Sequence, residues 1–233
     1  MADGPEGDDP PAGGWLEVHD AVLGGLNHAL SNRVAAASAL AAVTEPDEPP
    51  GAEIASSLVT EAASLEALLR LYRRLPRAAG GKAVPLQVGE VLPVAAQLYG
   101  HGASRAREAP CTLAVDAGVL PVVAPEDALT HALVALLYSA GRWALGAERG
   151  STTAHVAGTA EIVVVTVTGT RDAGAALLPG ADAAPLAAAP VARWLLRGAE
   201  AELVDEGDGG GVRYTLRMPT LLAVRARGVG AAR

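Results

Sequence analysis

One histidine in this chain stands where packing alone would not require it. His28 lies in GLNHALSNRVAAASAL, residues 25–40, and Asn32 follows four residues later. Residues four apart on a helix are neighbours on one face. The spacing therefore brings an imidazole and a carboxamide within one turn of each other. A neutral imidazole is a nucleophile near neutral pH and can form a phosphoramidate. A carboxamide one turn away can hydrogen-bond the ring or orient a water. His28 is two residues, about 200°, from both Leu26 and Leu30. It should point away from an apolar stripe on that helix, into solvent. Ala21, Gly24, Gly25, Ala35 and Ala39 fall on or near the same side, and small residues there would let another protein's surface approach closely.

The elements that must hold this pair follow from periodicity. Leu23, Leu26, Leu30, Val34, Ala37 and Leu40 recur at steps of three or four, which predicts a helix over Trp15–Val43. TEPDEPPG, residues 44–51, breaks it. A second helix, Ala52–Leu75, carries the stripe Ile54, Leu58, Leu65, Leu68, Leu69, Tyr72 and Leu75. Arg70, Arg73, Arg74 and Arg77 gather at its C-terminal end, where positive charge suits the helix dipole. Two helices alone cannot bury two long stripes. Pairing two hairpins into a four-helix bundle would do so, which predicts a homodimer.

Beyond a linker at residues 76–84 the pattern becomes mixed. LQVGEVLPVAAQLYGHGASRA reads as a short strand and a helix with Pro93 inside it, and CTLAVDAGVLPVVA as one strand. Pro125 opens a helix that is apolar nearly all round. Two strands with a turn near Gly158, then a helix, a strand, the glycine turn GDGGG and a last strand complete the sequence to Pro219. The expected class is α+β: a helical hairpin at 14–78, then a sheet covered by helices on one face at 84–220. Residues 1–13 are expected as a disordered leader and 221–233 as a loose tail.

Composition narrows the function. A formal charge of −8 argues against a nucleic-acid binder. The single cysteine, Cys111, excludes an intramolecular disulfide and a cysteine-built zinc cluster, and a reducing cytosol is its simplest home. No stretch reads as a signal peptide or a membrane span. His19, His101, His131 and His155 show no ligand spacing, so structural or surface roles are expected and no metal site is. GDGGG lies between strand patterns and reads as a hairpin turn, not a phosphate cradle.

The order of elements over about residues 15–219 resembles the core of bacterial sensor histidine kinases, a dimeric histidine-bearing hairpin followed by an ATPase-like α/β sandwich. NHALSNRV is similar to that family's histidine box, with His28 as acceptor. DALTHALVALLYSAGRWA resembles its asparagine-box helix, and EIVVVTVTGTRDAG the strand entering its aspartate-and-glycine box. VARWLLRGAEAELVDEGDGGGVRYTLRMP resembles its last helix and hairpin. The departures bear on function. The magnesium-holding asparagine falls on Ser139, and an upstream polar position on the same helix is Ala135. The adenine-binding aspartate falls on Gly169, with Asp172 three residues late, and the lid region 173–190 holds no Lys or Arg. Residue 29 is Ala where kinases often place an acid, and Asp20 does not replace it.

The resemblance thus implies the scaffold without the groups that ATP needs. The expected function is a phosphorelay histidine phosphotransferase, a phosphoryl carrier rather than an ATP-dependent enzyme. His28 would carry phosphate and Asn32 would orient it. Receiver domains of response regulators, or of a hybrid histidine kinase, would be partners and would supply magnesium. No cofactor of its own is expected. The alternatives are an active divergent kinase and a non-catalytic scaffold binding a kinase or receiver.

Overall fold

Alanine and leucine favour helix where few β-branched residues interrupt them, and both N-terminal segments are of that kind. In the computed structural model, which describes residues 12–44, 51–75, 81–102, 111–147, 150–172, 175–176, 188–207 and 211–230, α1 spans Ala12–Ala42 and α2 Ala52–Arg73. They pack together, and the Arg33 guanidinium donates across them to both Glu61 carboxylate oxygens at 2.9 and 3.2 Å. Trp15, near the start of α1, and Arg74, at the end of α2, both meet His131. The two helices are therefore antiparallel.

The remaining elements are β1 (Val84–Leu86), α3 (Val88–Gly102), β2 (Thr112–Val115), β3 (Val122–Ala124), α4 (Glu126–Leu145), β4 (Gly150–Gly158), β5 (Ile162–Arg171), α5 (Ala188–Leu195), β6 (Glu202–Asp205), β7 (Gly211–Pro219) and α6 (Leu221–Gly230). A five-stranded sheet has the order β2-β4-β5-β7-β6, parallel at β2–β4 and antiparallel elsewhere, and β1 pairs with β3 in a two-stranded sheet. Burial alternates along its long strands: Val163, Val165 and Val167 on β5, and Val212, Tyr214, Leu216 and Met218 on β7, face the helices. Period-two burial means one covered face and one open face. Helix α4 lies over the centre of the covered face, touching β4, β5 and β7, with α3 and α5 packed beside it. Its Leu129, Leu133, Leu136, Leu137 and Ala140 are fully buried, as its all-round apolar pattern predicts. Among the described residues, no helix is long and apolar enough to cross a membrane.

Three expectations need correction. CTLAVDAGVLPVVA is not one strand: Gly118 turns with φ +77°, a conformation L side chains rarely adopt, and the segment divides into β2 and β3 in different sheets. The expected tail at 221–233 is helical to Gly230. Thr220 caps it, its Oγ1 accepting from the Ala223 amide at 3.1 Å, and Arg227 pairs with Glu200 at 2.6 Å. The expected leader at 1–13 lies outside the described residues up to residue 11, and α1 has already begun at Ala12. Residues 76–80, and all of the lid region 173–190 except 175–176 and 188–190, also lie outside the described residues. Residues 208–210 of the expected glycine turn lie outside the described residues too, and β6 and β7 pair antiparallel on either side of them.

Candidate functional site

Helix α1 presents His28 because its other side is occupied. Val18, Val22 and Leu26 are at most 3% exposed and repeat every four residues, which makes one stripe. That stripe packs on α3, where Val22 closely approaches Gly102. His28 lies off the stripe and is exposed. The Asn32 Nδ2 amide donates to His28 Nε2 at 3.1 Å. With Nε2 accepting, the ring proton resides on Nδ1 and the nucleophilic lone pair is on Nε2. The pair predicted from spacing is thus in contact.

The small residues around it divide. Gly24, Ala35 and Ala39 are exposed, and a Cβ added at Gly24 would meet nothing within 4 Å. Ala21 is half-buried. Gly25 requires correction, because a Cβ there would overlap the backbone carbonyl of His101 at the end of α3. It is a close-approach point between helices, not part of an open face. Gly102 repeats the device from the other side, where a Cβ would come within 2.8 Å of Val22 Cγ2. The predicted apolar stripe also shifts: Val34 is 53% exposed, while Val18, left out of it, is buried.

Ion pairs and one buried histidine fasten this hairpin to the rest of the chain. Glu17 of α1 pairs with Arg142 of α4, and Arg74 pairs with Glu126 at the start of α4. His131, 2% exposed, donates from Nε2 to the Arg74 carbonyl at 3.1 Å and meets the Trp15 ring edge-on at 5.5 Å between centroids. Burial presses its pKa down to about 4, so the ring is neutral at physiological pH. The other histidines hold no common centre. His155 pairs with Asp116 at 2.8 Å on the open side of the sheet, and His19 lies 3.7 Å from Asp20. Among the described residues, no three His, Cys, Asp or Glu side chains come together as metal ligands. Cys111 is half-buried, and burial raises its thiol to about 11, which keeps it protonated and poorly reactive.

The second region that matters is the junction of α4 with the sheet. Ser139 is fully buried and its hydroxyl shares a 2.8 Å hydrogen bond with the Tyr214 hydroxyl of β7. Burial raises the Tyr214 pKa, so this bond joins two neutral groups. Ala135 is fully buried. Gly169 of β5 lies so near Ala140 of α4 that a Cβ would overlap the Ala140 carbonyl oxygen, and Gly150 does the same under Ala144. Arg171 closes the strand end: its guanidinium stacks on the Trp143 ring at 3.8 Å and its Nε donates to the Trp143 carbonyl. Asp172, next along, is exposed. Nucleotide with magnesium needs an oxygen free to reach the metal and an acceptor for the base. Ser139 is committed to Tyr214, and Gly169 offers neither a side chain nor room for one. These residues do not fit that ligand.

Sequence reasoning overlooked a cleft beside Asn32. It has a volume of about 730 Å³ and lies between α1, α2 and α3, with Asn32, Arg33, Ser64, Leu68, Gln97 and His101 among its walls. Helix spacing gave no sign of it, since α3 joins the hairpin only through tertiary packing.

No protein-family model matches the chain, and no curated protein matches it. Solved structures similar to it include the Acinetobacter baumannii histidine kinase AdeS, at 15% identity and TM-score 0.45, over 84% of this chain and 95% of that one. A bacterial phosphotransferase is similar at 15% identity and TM-score 0.40, over 86% of this chain and 96% of that one. The histidine kinase ThkA, solved in complex with the response regulator TrrA, is similar at 12% identity and TM-score 0.45, over 84% of this chain and 60% of that one.

Proposed function

We propose that the chain is a histidine phosphotransferase of a two-component phosphorelay, a phosphoryl carrier that works through His28 without binding ATP. The observation that carries this reading is the His28–Asn32 pair: an exposed imidazole whose Nε2 is held by the Asn32 amide at 3.1 Å. The committed state of Ser139 and the contact of Gly169 with α4 support the absence of a nucleotide step.

The donor in this reading is the phospho-aspartate of a receiver domain, which holds its own magnesium. The Nε2 lone pair forms the P–N bond as the P–O bond to the aspartyl carboxyl breaks, and the leaving electrons return to that carboxylate. Asn32 must turn aside as the lone pair is used, so its role is to hold the ring's tautomer and rotamer before attack. Return of the phosphoryl group to a second receiver reverses the step. Gly24, Ala35 and Ala39 provide the receiver's approach. Val34, Val43, Val59, Leu69 and Tyr72 leave apolar surface exposed on the hairpin, which a second copy would cover in a homodimer. The cytosol is the compartment where such receivers work.

The test is phosphate transfer from a phosphorylated receiver, followed at neutral to mildly basic pH. His28→Gln is expected to abolish acceptance while leaving helix content and association state unchanged. Transfer surviving that change sinks the assignment. Labelling of His28 by ATP alone would replace it with an active kinase.

A further inference from the structure

We propose that the cleft between α1, α2 and α3 binds a small organic anion, a carboxylate or phosphate monoester with a short apolar group, and that its occupancy resets His28 through Asn32. The size is right, since small-molecule sites run from about 300 to 1,000 Å³ and combine an apolar floor with a few placed polar groups. Leu68 and Leu71 supply the floor and the Gln97 carboxamide a hydrogen-bonding group, while the Ser64 hydroxyl donates to the Thr60 carbonyl at 2.9 Å. The walls include no carboxylate. Arg33 gives only Nη1 to Glu61, and its other guanidinium N–H groups have no partner among the described residues. A guanidinium fork suits the planar oxygens of a carboxylate or phosphate. A Cβ at Gly100, on the cleft wall, would meet nothing within 4 Å, so a side chain can be introduced there.

The consequence follows from geometry. Asn32 lines the cleft and also holds His28 Nε2. A carboxamide that turns to donate to a bound anion releases the imidazole. Binding itself is independent of the proposed function, while any effect on phosphate transfer rests on that reading.

The test titrates the full chain with hexanoate and, separately, phenyl phosphate, following backbone amides and histidine rings by NMR. Saturable shifts at Gly100, His101 and the His28 ring, with a Kd of about 1 mM or tighter, are expected for at least one probe. Saturation by hexanoate alone identifies the source as a carboxylate, and by phenyl phosphate alone as a phosphate ester. Gly100→Leu, which adds an isobutyl group at the cleft wall, and Arg33→Gln with Glu61→Gln, which removes the cation without stranding its carboxylate, are each expected to weaken binding at least tenfold. No saturation by either probe, or saturation that persists in Gly100→Leu, overturns the site. Binding with an unchanged His28 ring overturns the coupling. These readouts need no phosphate transfer, so failure of the carrier reading shows only in the receiver assay.

Discussion

The face of α1 at His28 and the junction of α4 with β5 are built on opposite principles. At His28 an exposed ring is held by a hydrogen bond to Asn32, with open space at Gly24 and exposed Ala35 and Ala39 on the same helix. At the junction the groups are packed against one another: Ser139 bonds Tyr214, Ala135 and Ala140 are buried, and Gly169 lies under a helix carbonyl. Close-packed interiors tolerate little added volume, so the second region has become core. The contrast teaches that one helix face can leave a polar pair in the open while a helix–sheet junction in the same chain leaves no room for added volume.

The largest blow to that comparison would come from putting the acid back. Gly169→Asp would drive a Cβ into the Ala140 carbonyl and desolvate a carboxylate beside it. A loss of more than about 4 kcal/mol, or failure to fold, is expected in urea denaturation. A stable Gly169→Asp protein would mean the junction is open space. Adjacent glycines sharpen the same point on α1. Gly25→Ala strikes the His101 backbone and should cost about 2–4 kcal/mol. Gly24→Ala meets nothing and should gain about 0.5–1 kcal/mol from helix propensity. Equal effects at the two positions would erase the distinction between seam and open face.

That pair also shows what was legible in the sequence. The outward direction of His28 and its contact with Asn32 follow from helix geometry alone, because both are local. Gly25 was assigned to the wrong side because its partner, His101, is remote in sequence. A sign was nevertheless present: Val18 and Gly25 are seven residues apart, within about 20° of the same direction on a helix, and a stripe begun at Val18 would have included the glycine. The order of strands and helices was readable from alternation and turn residues. The break between β2 and β3 depended on one left-handed glycine, and α6 on a threonine cap, short-range signals that the longer apolar runs masked. The fastening of hairpin to sheet was not readable, since Glu17–Arg142 and Arg74–Glu126 join residues that only the tertiary fold brings together.

The fastening can be broken by acid. His131 is held neutral by burial, with its pKa lowered to about 4 from 6.5. Below pH 6.5 the unfolded chain takes up a proton that the folded chain refuses, so stability is full above that pH and falls as pH drops toward 4. The sign follows from the unfolded state binding more protons. About 3 kcal/mol is at stake across that window. Among the described residues no carboxylate hydrogen-bonds the ring; it meets Trp15 and the Arg74 carbonyl, and the neighbouring His19 adds to the depression. His131→Leu should flatten the loss between pH 7 and 5 in urea midpoints, while lowering stability at pH 7 through the lost bond to Arg74. An unchanged slope in that variant would assign the acid response to other groups.

A double-mutant cycle tests whether Ser139 serves the core. Its hydroxyl and that of Tyr214 satisfy each other out of contact with water. Ser139→Ala leaves the phenol unpaired, at a cost of about 1–3 kcal/mol. Tyr214→Phe removes the same bond from the other side. Removing both leaves no orphan, so the double variant should lose less than the sum of the two, by about 0.5–3 kcal/mol of coupling. A ligand position held open for a metal would behave otherwise: Ser139→Ala would then cost little, and the two changes would simply add. Coupling therefore decides whether the Ser139 hydroxyl is part of the packed core or stands apart from it.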